Sequence, residues 1–404
     1  MRAIFGMPLV LLTLTLPAVA ADQKLAPAAM PLPVLAWGGL PSDKATVERY
    51  RELAEAGFTI NFSGFGDVEA ALKGLDLAQA AGVKLMISCA ALKKDPAGTV
   101  ARVKSHPALA GYYLRDEPPA SAFPELAAWE KQLQTVDPDH FTYINLFPNY
   151  ANSDQLSAPD YQQYLDRYMR TVPARLLSFD HYPVIQGPKE PFLRGEWYDN
   201  LERISAAARK AQIPFWAFAL STKHFSYPAA TVANLRCQIF SDLAYGAQGL
   251  QYFTYWQITG SSEGIFTDAP IAADGKRTAV YDRVKQINAE ARGLWPVFAN
   301  AKMIAIAHSG DVIPAGTRKY EPQSPVKSLI ANGAVVSRLR NGDREFLVLV
   351  NRDINHPLPI TVEFDRDGVQ RVEKDATLQP VRERKLERNL EPGDIAVLTW
   401  PTSP

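Results

Sequence analysis

The chain has 404 residues, with 43 Lys and Arg against 43 Asp and Glu, so its formal net charge at pH 7 is +0. A near-neutral chain without basic blocks lacks the electrostatic footprint of a nucleic-acid-binding protein or of a protein that adheres to anionic membranes. Its two cysteines, Cys89 and Cys237, and its 6 scattered histidines do not have the spacing of zinc ligands. The two cysteines could pair in an exported protein, but we expect two buried free thiols, because Cys89 ends a predicted strand and Cys237 lies within a predicted helix about 150 residues later. We also expect no metal site and no cofactor.

The first twenty residues have the pattern of a secretory signal peptide. Arg2 precedes an apolar run from Met7 to Leu16, and Ala18-Val19-Ala20 matches a cleavage site of the small-x-small type. The apolar run is too short to span a membrane, and no later stretch approaches the length of a membrane span. We expect a secreted or periplasmic protein, without a membrane span, whose mature chain begins near Ala21.

From residue 31 to residue 298, short apolar runs alternate with amphipathic helical stretches. Helical periodicity predicts helices at Lys44–Ala56, Asp67–Ala81, Glu196–Ala211, Ala229–Tyr245 and Thr278–Leu294. The eight predicted strands are Val34–Gly38, Thr59–Ser63, Lys84–Cys89, Ala110–Arg115, Thr142–Phe147, Leu176–His181, Phe215–Leu220 and Leu250–Trp256.

Strands that alternate with helices pair in parallel through right-handed crossovers. Eight such units over roughly 265 residues match an α/β fold of the closed (β/α)8, or TIM, barrel type. A doubly wound open sheet is the second possibility. It would require a glycine-rich first turn, which the segment Trp37–Ser42 does not supply.

From residue 300 to residue 404, short alternating runs are separated by turn signals such as Asn332-Gly333. The predicted strands are Ile304–His308, Ser328–Ala331, Ala334–Leu339, Glu345–Asn351, Ile360–Phe364 and Ile395–Trp400. This pattern indicates a separate C-terminal antiparallel β-sandwich, which we interpret as a packing or accessory domain.

Two adjacent carboxylates follow the fourth predicted strand directly. In the segment Gly111–Pro119, the aromatic and aliphatic run ends in Asp116 and Glu117, and two prolines then prevent the strand from continuing. Carboxylates are costly at a partly desolvated strand end, which favours a functional role for this pair. The alternative is ordinary chemistry at the start of a helix, with Asp116 as the N-cap and a proline in the first turn.

In a (β/α)8 barrel the active site lies at the carboxyl ends of the strands. The residues predicted there combine carboxylates, amides and large aromatic rings. Sugars require this mixture, because rings stack on C–H surfaces while polar groups hydrogen-bond the hydroxyls. The candidate substrate-binding residues are Trp37, Asn61, Asn145, Phe147, His181, Tyr182, Tyr255, Trp256 and Gln257. Among them Trp256 is the best candidate for a stacking platform, whereas His181 has the strand parity of a packed histidine.

Glycoside cleavage requires a protonated carboxylic acid at the leaving oxygen and a second group that stabilises or traps the oxocarbenium-like centre. We assign the role of general acid/base to Glu117, since the neighbouring Asp116 carboxylate would raise its pKa. Asp180 could be the second catalytic carboxylate, a ligand of a sugar hydroxyl or a structural residue. Glu263, on the long loop after the eighth strand, is a reserve candidate for the partner.

The barrel, Glu117 on strand four, Trp256 on strand eight and the trailing sandwich together resemble the glycoside hydrolase superfamily called clan A. The segments Tyr143–Pro148, Ser178–Pro183 and Gly246–Trp256 are similar to those of uncharacterised bacterial proteins of glycoside-hydrolase-like sequence. Two features depart from clan A. The superfamily usually has Asn-Glu on strand four, where this chain has Asp116-Glu117. It also places a nucleophilic Glu at the end of strand seven, where this chain has no carboxylate.

The Asp-Glu pair is also similar to glycoside hydrolase families 20 and 123, which act on N-acetylhexosamines. In those families the acetamido oxygen of the substrate is the nucleophile, so that no strand-seven Glu is required. That resemblance implies that Asp116 orients the acetamido group and that Glu117 is the acid/base.

The leading hypothesis is an exported, metal-independent glycoside hydrolase that acts on an oligosaccharide, a polysaccharide or another glycoside. The alternative is a catalytically silent carbohydrate-binding barrel, which the missing strand-seven Glu favours. A metal-dependent barrel hydrolase would require several His and Asp ligands at the strand ends, and only His181 and His224 lie nearby.

Overall fold

The structure is a computed structural model that describes residues 23–261 and 264–402. The predicted signal peptide, residues 1–20, and the reserve candidate Glu263 lie outside the described residues. Within the described ranges, no helix combines the length and the apolar character that crossing a bilayer requires.

Eight parallel strands close into a barrel, which confirms the predicted fold class. Each strand pairs with its neighbours in the chain, and the eighth pairs with the first. The strands are β1 (Val34–Trp37), β2 (Ile60–Phe65), β3 (Lys84–Cys89), β4 (Leu109–Asp116), β5 (Phe141–Leu146), β6 (Leu177–Phe179), β7 (Phe215–Leu220) and β8 (Gly249–Phe253).

Helices surround the barrel, and their starts follow from local sequence. The side chains of Thr46, Asp67, Asp95, Asp160 and Thr231 each accept a hydrogen bond from a backbone N–H of the first helical turn. The helices are Val47–Glu55, Val68–Gln79, Ala90–Lys94, Pro96–Val103, Phe123–Val136, Ser153–Leu156, Tyr161–Thr171, Trp197–Ala211, Val232–Ala244 and Ala279–Phe298, with short 3-10 turns at Ser42–Lys44 and Ala120–Ala122.

The C-terminal part is a sandwich of two antiparallel sheets. The larger sheet has the strand order Lys302–His308, Ala334–Asn341, Arg344–Asn351, Ile395–Pro401, Gln370–Val372, Leu378–Pro380, and the smaller sheet has the order Val326–Ile330, Leu358–Phe364, Lys385–Leu390. The sequence did not predict the strands Gln370–Val372, Leu378–Pro380 and Lys385–Leu390. Two of them have only three residues and the third is mostly charged or polar, so that none carries a clear alternating apolar pattern.

The larger sheet lies between the barrel and the smaller sheet, because its side chains alternate between two apolar clusters. In the strand Arg344–Asn351, Phe346 and Val348 belong to the cluster shared with the barrel helices. Leu347 and Leu349 belong to the core of the sandwich, which includes Trp400. Alternate side chains point to opposite faces of a strand, so that one strand serves both interfaces.

Candidate active site

Side chains from six of the eight barrel strands or the loops after them enclose a cavity of about 110 Å³ at the carboxyl end of the barrel. Its lining residues are Trp37, Asp116, Glu117, Asn145, Asp180, Tyr182, Phe218, His224 and Phe253. The structure thus brings together all three predicted catalytic carboxylates and three of the predicted binding residues, Trp37, Asn145 and Tyr182.

Asp116 is the last residue of β4, and Glu117 follows it in an unusual backbone conformation. The pairing of β4 with β5 shifts register between Tyr113 and Arg115. Glu117 has a φ of 41°, in the left-handed region, and its N–H donates to the carbonyl of Asn145 at 2.9 Å. A left-handed residue other than glycine costs of order 1–3 kcal/mol, and such residues concentrate at functional sites.

The pair does not start a helix. The first helical element after it is the 3-10 turn Ala120–Ala122, whose N-cap is Pro119, and the N-cap of the following helix is Ala122. The structural alternative, in which Asp116 is the N-cap of a helix, is therefore wrong. Both carboxylates are partly exposed to the cavity instead.

One amide group connects two of the carboxylates. The Nδ2 atom of Asn145 donates to Oδ1 of Asp116 at 3.0 Å and to Oδ1 of Asp180 at 3.1 Å. Its Oδ1 atom accepts a hydrogen bond from the Ser178 hydroxyl at 2.8 Å. Because an ionised carboxylate only accepts hydrogen bonds, this arrangement determines which way the amide faces.

The hydrogen-bond chain continues into the barrel interior. Gln251 on β8 donates from Nε2 to Ser178 Oγ at 2.9 Å, and the Tyr143 hydroxyl donates to Gln251 Oε1 at 2.5 Å. Each of these three side chains is at most 1% exposed. This series of hydrogen bonds therefore holds Asn145 from inside the barrel, and its successive donors are directed towards Asp116 and Asp180.

Asp180 resists ionisation. Its pKa is raised well above the usual value of an aspartate, chiefly because burial penalises the charged form and further because the Glu117 and Asp116 carboxylates lie close by. The hydrogen bond from Asn145 acts in the opposite direction. The crowding of three carboxylates in one small cavity thus favours the protonated form of Asp180.

Aromatic rings form the other walls of the cavity. Phe253, the last residue of β8, lies 5.4 Å from Trp37, 5.5 Å from Tyr182 and 5.7 Å from His224, measured between ring centroids. Phe218 on β7 contacts Trp37 and Tyr182. Sequence reasoning missed Phe218 and Phe253 as cavity residues, because the predicted eighth strand extended to Trp256 and so placed Phe253 inside the strand.

The structure places Trp256 and Gln257 in a different cleft, at the same end of the barrel. Trp256 is only 8% exposed, and the guanidinium of Arg49 lies 5.5 Å from the centre of its ring. It is therefore not an open stacking platform. Tyr255 is fully buried, packs edge-on against Phe58 at 5.2 Å and does not line the cavity that contains Asp116 and Glu117.

Three other predicted binding residues are buried and do not line the cavity. Asn61 is completely buried, and its Oδ1 accepts the backbone N–H of Leu40 at 2.8 Å. Phe147 packs in the barrel's outer core near Tyr164. His181 is also buried, with its Nδ1 3.0 Å from Asn200 Oδ1, and burial lowers its pKa to about 4, so that it is neutral at physiological pH.

The remaining sequence expectations concern metals and thiols. Among the described residues, no group of three or more His, Cys, Asp or Glu side chains is arranged to hold a metal ion. Cys89 and Cys237 are both buried and free. Burial raises the pKa of the Cys237 thiol to about 12, so that it is unreactive.

No protein-family model matches the sequence, and no curated protein matches it either. Many solved structures do match the fold. A GH42 β-galactosidase from G. stearothermophilus is similar with a TM-score of 0.60 at 8% identity, covering 94% of this chain and 100% of that chain. A β-galactosidase from Bacillus circulans sp. alkalophilus has a TM-score of 0.58 at 9% identity, covering 91% and 99%. The chain therefore shares a (β/α)8 barrel fold with these two β-galactosidases.

Proposed function

We propose that this protein is an exported glycoside hydrolase in which Glu117 is the general acid/base. The observation that carries the proposal is the single cavity that collects Asp116, Glu117 and Asp180 at the carboxyl end of the barrel, within aromatic walls. Glycosidic bond cleavage uses paired carboxylates of this kind. The fold similarity to β-galactosidases is consistent with the reaction class. The predicted signal peptide supports the exported location.

The second catalytic group is either Asp180 or Asp116. A nucleophilic carboxylate must be ionised, and the raised pKa of Asp180 opposes its ionisation. Asp180 is therefore better suited to hold a proton and to donate a hydrogen bond than to attack the anomeric carbon. This favours the substrate-assisted alternative, in which an acetamido group is the nucleophile and Asp116, oriented by Asn145, supports it.

The two alternatives make different demands on the substrate. If Asp116 supports an acetamido nucleophile, only 2-acetamido sugars are cleaved. If Asp180 is the nucleophile, sugars with a 2-hydroxyl group are cleaved as well. A panel of aryl glycosides with and without the 2-acetamido group distinguishes the two mechanisms, and the anomer of the first product shows whether configuration is retained.

A catalytically silent carbohydrate-binding barrel is the second candidate. It is favoured by β7, which contributes Phe218 to the cavity and no carboxylate. In that case the wild-type protein would bind a saccharide but would not release product, at any pH.

The test is the turnover of the Glu117→Gln variant on the best substrate of the panel. General acid–base catalysis contributes about 10²–10⁴-fold, so we expect a loss of kcat of that size. Glu125→Gln is the matched control, because Glu125 is an exposed glutamate on the helix that follows β4. Unchanged turnover in Glu117→Gln would remove Glu117 as the acid.

A further inference from the structure

A second opening lies beside the catalytic cavity, and the proposed function does not use it. We call it the mouth cleft. It has a volume of about 500 Å³ and follows the carboxyl ends of β1, β2 and β8. It is lined by residues 38–44, 62–64 and 256–259 together with Ala273.

The catalytic cavity and the mouth cleft are neighbours. Trp37 lines the cavity, and the next residue, Gly38, lines the cleft. Phe62 lines the cleft, and its ring centre lies 5.5 Å from that of Trp37. The two openings therefore adjoin at these two rings, and one extended ligand is expected to reach both.

The sizes of the two openings argue for such an extended ligand. Small-molecule sites usually enclose about 300–1,000 Å³, and the mouth cleft falls in this range whereas the cavity of about 110 Å³ does not. The cavity alone is too small for more than the reacting sugar unit. The remainder of a longer substrate must lie outside it.

Buried polar residues build the floor of the mouth cleft. Asn61 and Ser63 are both buried and hold the backbone of Leu40. The Asn61 side-chain oxygen accepts a hydrogen bond from the Leu40 N–H, and the Ser63 hydroxyl donates one to the Leu40 carbonyl at 2.5 Å. Asn61 also donates to Ser63 at 2.8 Å. A Cβ atom at Gly39 would lie 2.0 Å from Asn61 Oδ1, so that this approach requires glycine. The fold thus fixes the loop Gly38–Leu40 in one shape, which is the preorganisation expected of a binding surface.

The chemistry of the lining is that of a hydroxyl-rich ligand. The side chains of Ser42, Asp43, Lys44, Gln257 and Thr259 offer donors and acceptors around the partly exposed ring of Phe62. Glycines, Ser63 and apolar residues, among them Pro41, Ile258 and Ala273, form the rest of the surface. Saccharides combine hydroxyl groups with C–H faces, and this lining provides partners for both.

We propose that the mouth cleft binds the sugar unit adjacent to the one in the catalytic cavity, so that the natural substrate is a saccharide of at least two linked units. This inference rests on the proposed function. It also gives Gln257, which lies outside the catalytic cavity, a role in contacting the second unit.

Gly64 allows the cleft to be filled without disturbing the fold. Gly64 lines the cleft, and a Cβ atom built there meets no atom of the described residues within 4 Å. Gly66 has the same open surroundings but does not line the cleft, so it provides the matched control. Leucine is the replacement of choice at both positions, because it adds bulk without an aromatic face on which a sugar could stack.

The experiment compares wild type, Gly64→Leu and Gly66→Leu on the aryl monoglycoside that the panel identifies and on the aryl glycosides of the corresponding di- and trisaccharides. The measured quantity is the ratio of kcat/KM for the disaccharide to that for the monosaccharide. We expect a ratio of at least about ten in wild type and in Gly66→Leu, and a tenfold ratio corresponds to about 1.4 kcal/mol. In Gly64→Leu we expect a ratio below about three.

Circular dichroism and thermal melting confirm that both leucine variants are folded. A wild-type ratio near one overturns the inference, and so does a ratio that Gly64→Leu leaves unchanged. Both of these results require that the monoglycoside is cleaved, so they leave the proposed function intact. Failure of wild type to cleave any glycoside of the panel contradicts the proposed function instead, and the inference falls with it.

Discussion

Glu130 provides a prediction that needs no substrate. It lies on the helix Phe123–Val136 and is 1% exposed. Its Oε1 atom accepts hydrogen bonds from Thr142 Oγ1 at 2.7 Å and from Gln134 Nε2 at 3.0 Å, whereas Oε2 is buried without a hydrogen-bond partner among the described residues. Burial raises the pKa of Glu130 from 4.5 to about 7.

The direction of the pKa shift determines how stability depends on pH. The folded state binds the Glu130 proton more tightly than the unfolded chain does, so the stabilisation from this group is complete below pH 4.5. It is lost as the pH rises from 4.5 to 7. Each pKa unit corresponds to 1.36 kcal/mol, and the whole shift therefore represents a loss of about 3 kcal/mol.

The variant Glu130→Gln removes the ionisation and keeps an oxygen that can accept from Thr142. The new amide nitrogen is buried without an acceptor, which costs about 1–3 kcal/mol at every pH. That cost cancels when two pH values are compared. Relative to wild type, we expect the free energy of unfolding of the variant to be about 3 kcal/mol larger at pH 8 than at pH 4.5, so that the variant is relatively more stable at the higher pH.

The assay is urea unfolding followed by tryptophan fluorescence, which reports mainly on the barrel because only Trp400 lies in the sandwich core. Glu125→Gln, on the same helix but exposed, is the control and should show little change with pH. A relative stability of Glu130→Gln that is the same at pH 4.5 and pH 8 would refute the reasoning, because it would mean that Glu130 ionises as easily in the folded protein as in the unfolded chain.

Three further predictions concern the site and its supports. Asn145→Ala removes a hydrogen bond that lowers the pKa of Asp180, so the pH at which Asp180 ionises should rise. The measurement is a ¹³C NMR titration of labelled aspartates, and an unchanged titration contradicts the assigned hydrogen bonds. Gly39→Ala should destabilise the barrel by about 1–3 kcal/mol in thermal unfolding, because its Cβ would clash with Asn61, and a neutral result would show that the loop can move away. Asp242→Asn should be more stabilising at pH 7 than at pH 4, because burial raises the pKa of Asp242, whose carboxylate oxygens have no hydrogen-bond partner in the described part of the chain. The opposite trend in urea midpoints argues against this.

The barrel was predictable because its signal is local and repeated. Each buried strand forms a short apolar run, each helix has a periodic apolar face, and the eight repeats leave few alternative topologies. All eight predicted strands overlap those of the structure. The position of Asp116 and Glu117 at a strand end was also readable, because a proline pair stops the run at a defined residue.

The eighth strand shows where such reading fails. The run from Tyr252 to Trp256 is aromatic throughout except for Thr254, and no glycine, proline or charge marks the end of the strand. The structure ends the strand at Phe253, which therefore lines the cavity of the three carboxylates, while Trp256 lies in the mouth cleft. A prediction that ends the strand three residues too late therefore assigns the aromatic wall to Trp256 instead of Phe253.

The sequence by itself determined the two-part architecture and the position of two adjacent carboxylates at a strand end, because apolar periodicity and adjacent residues are local properties of the chain. Only the tertiary structure decided which of the candidate side chains face one another. Asn145 bridges Asp116 and Asp180 from a third strand, and Gln251 supports it from a fourth. Such contacts depend on strand register and on closure of the barrel, which bring together residues more than 100 positions apart in the chain, as in the 108-residue separation of Tyr143 and Gln251.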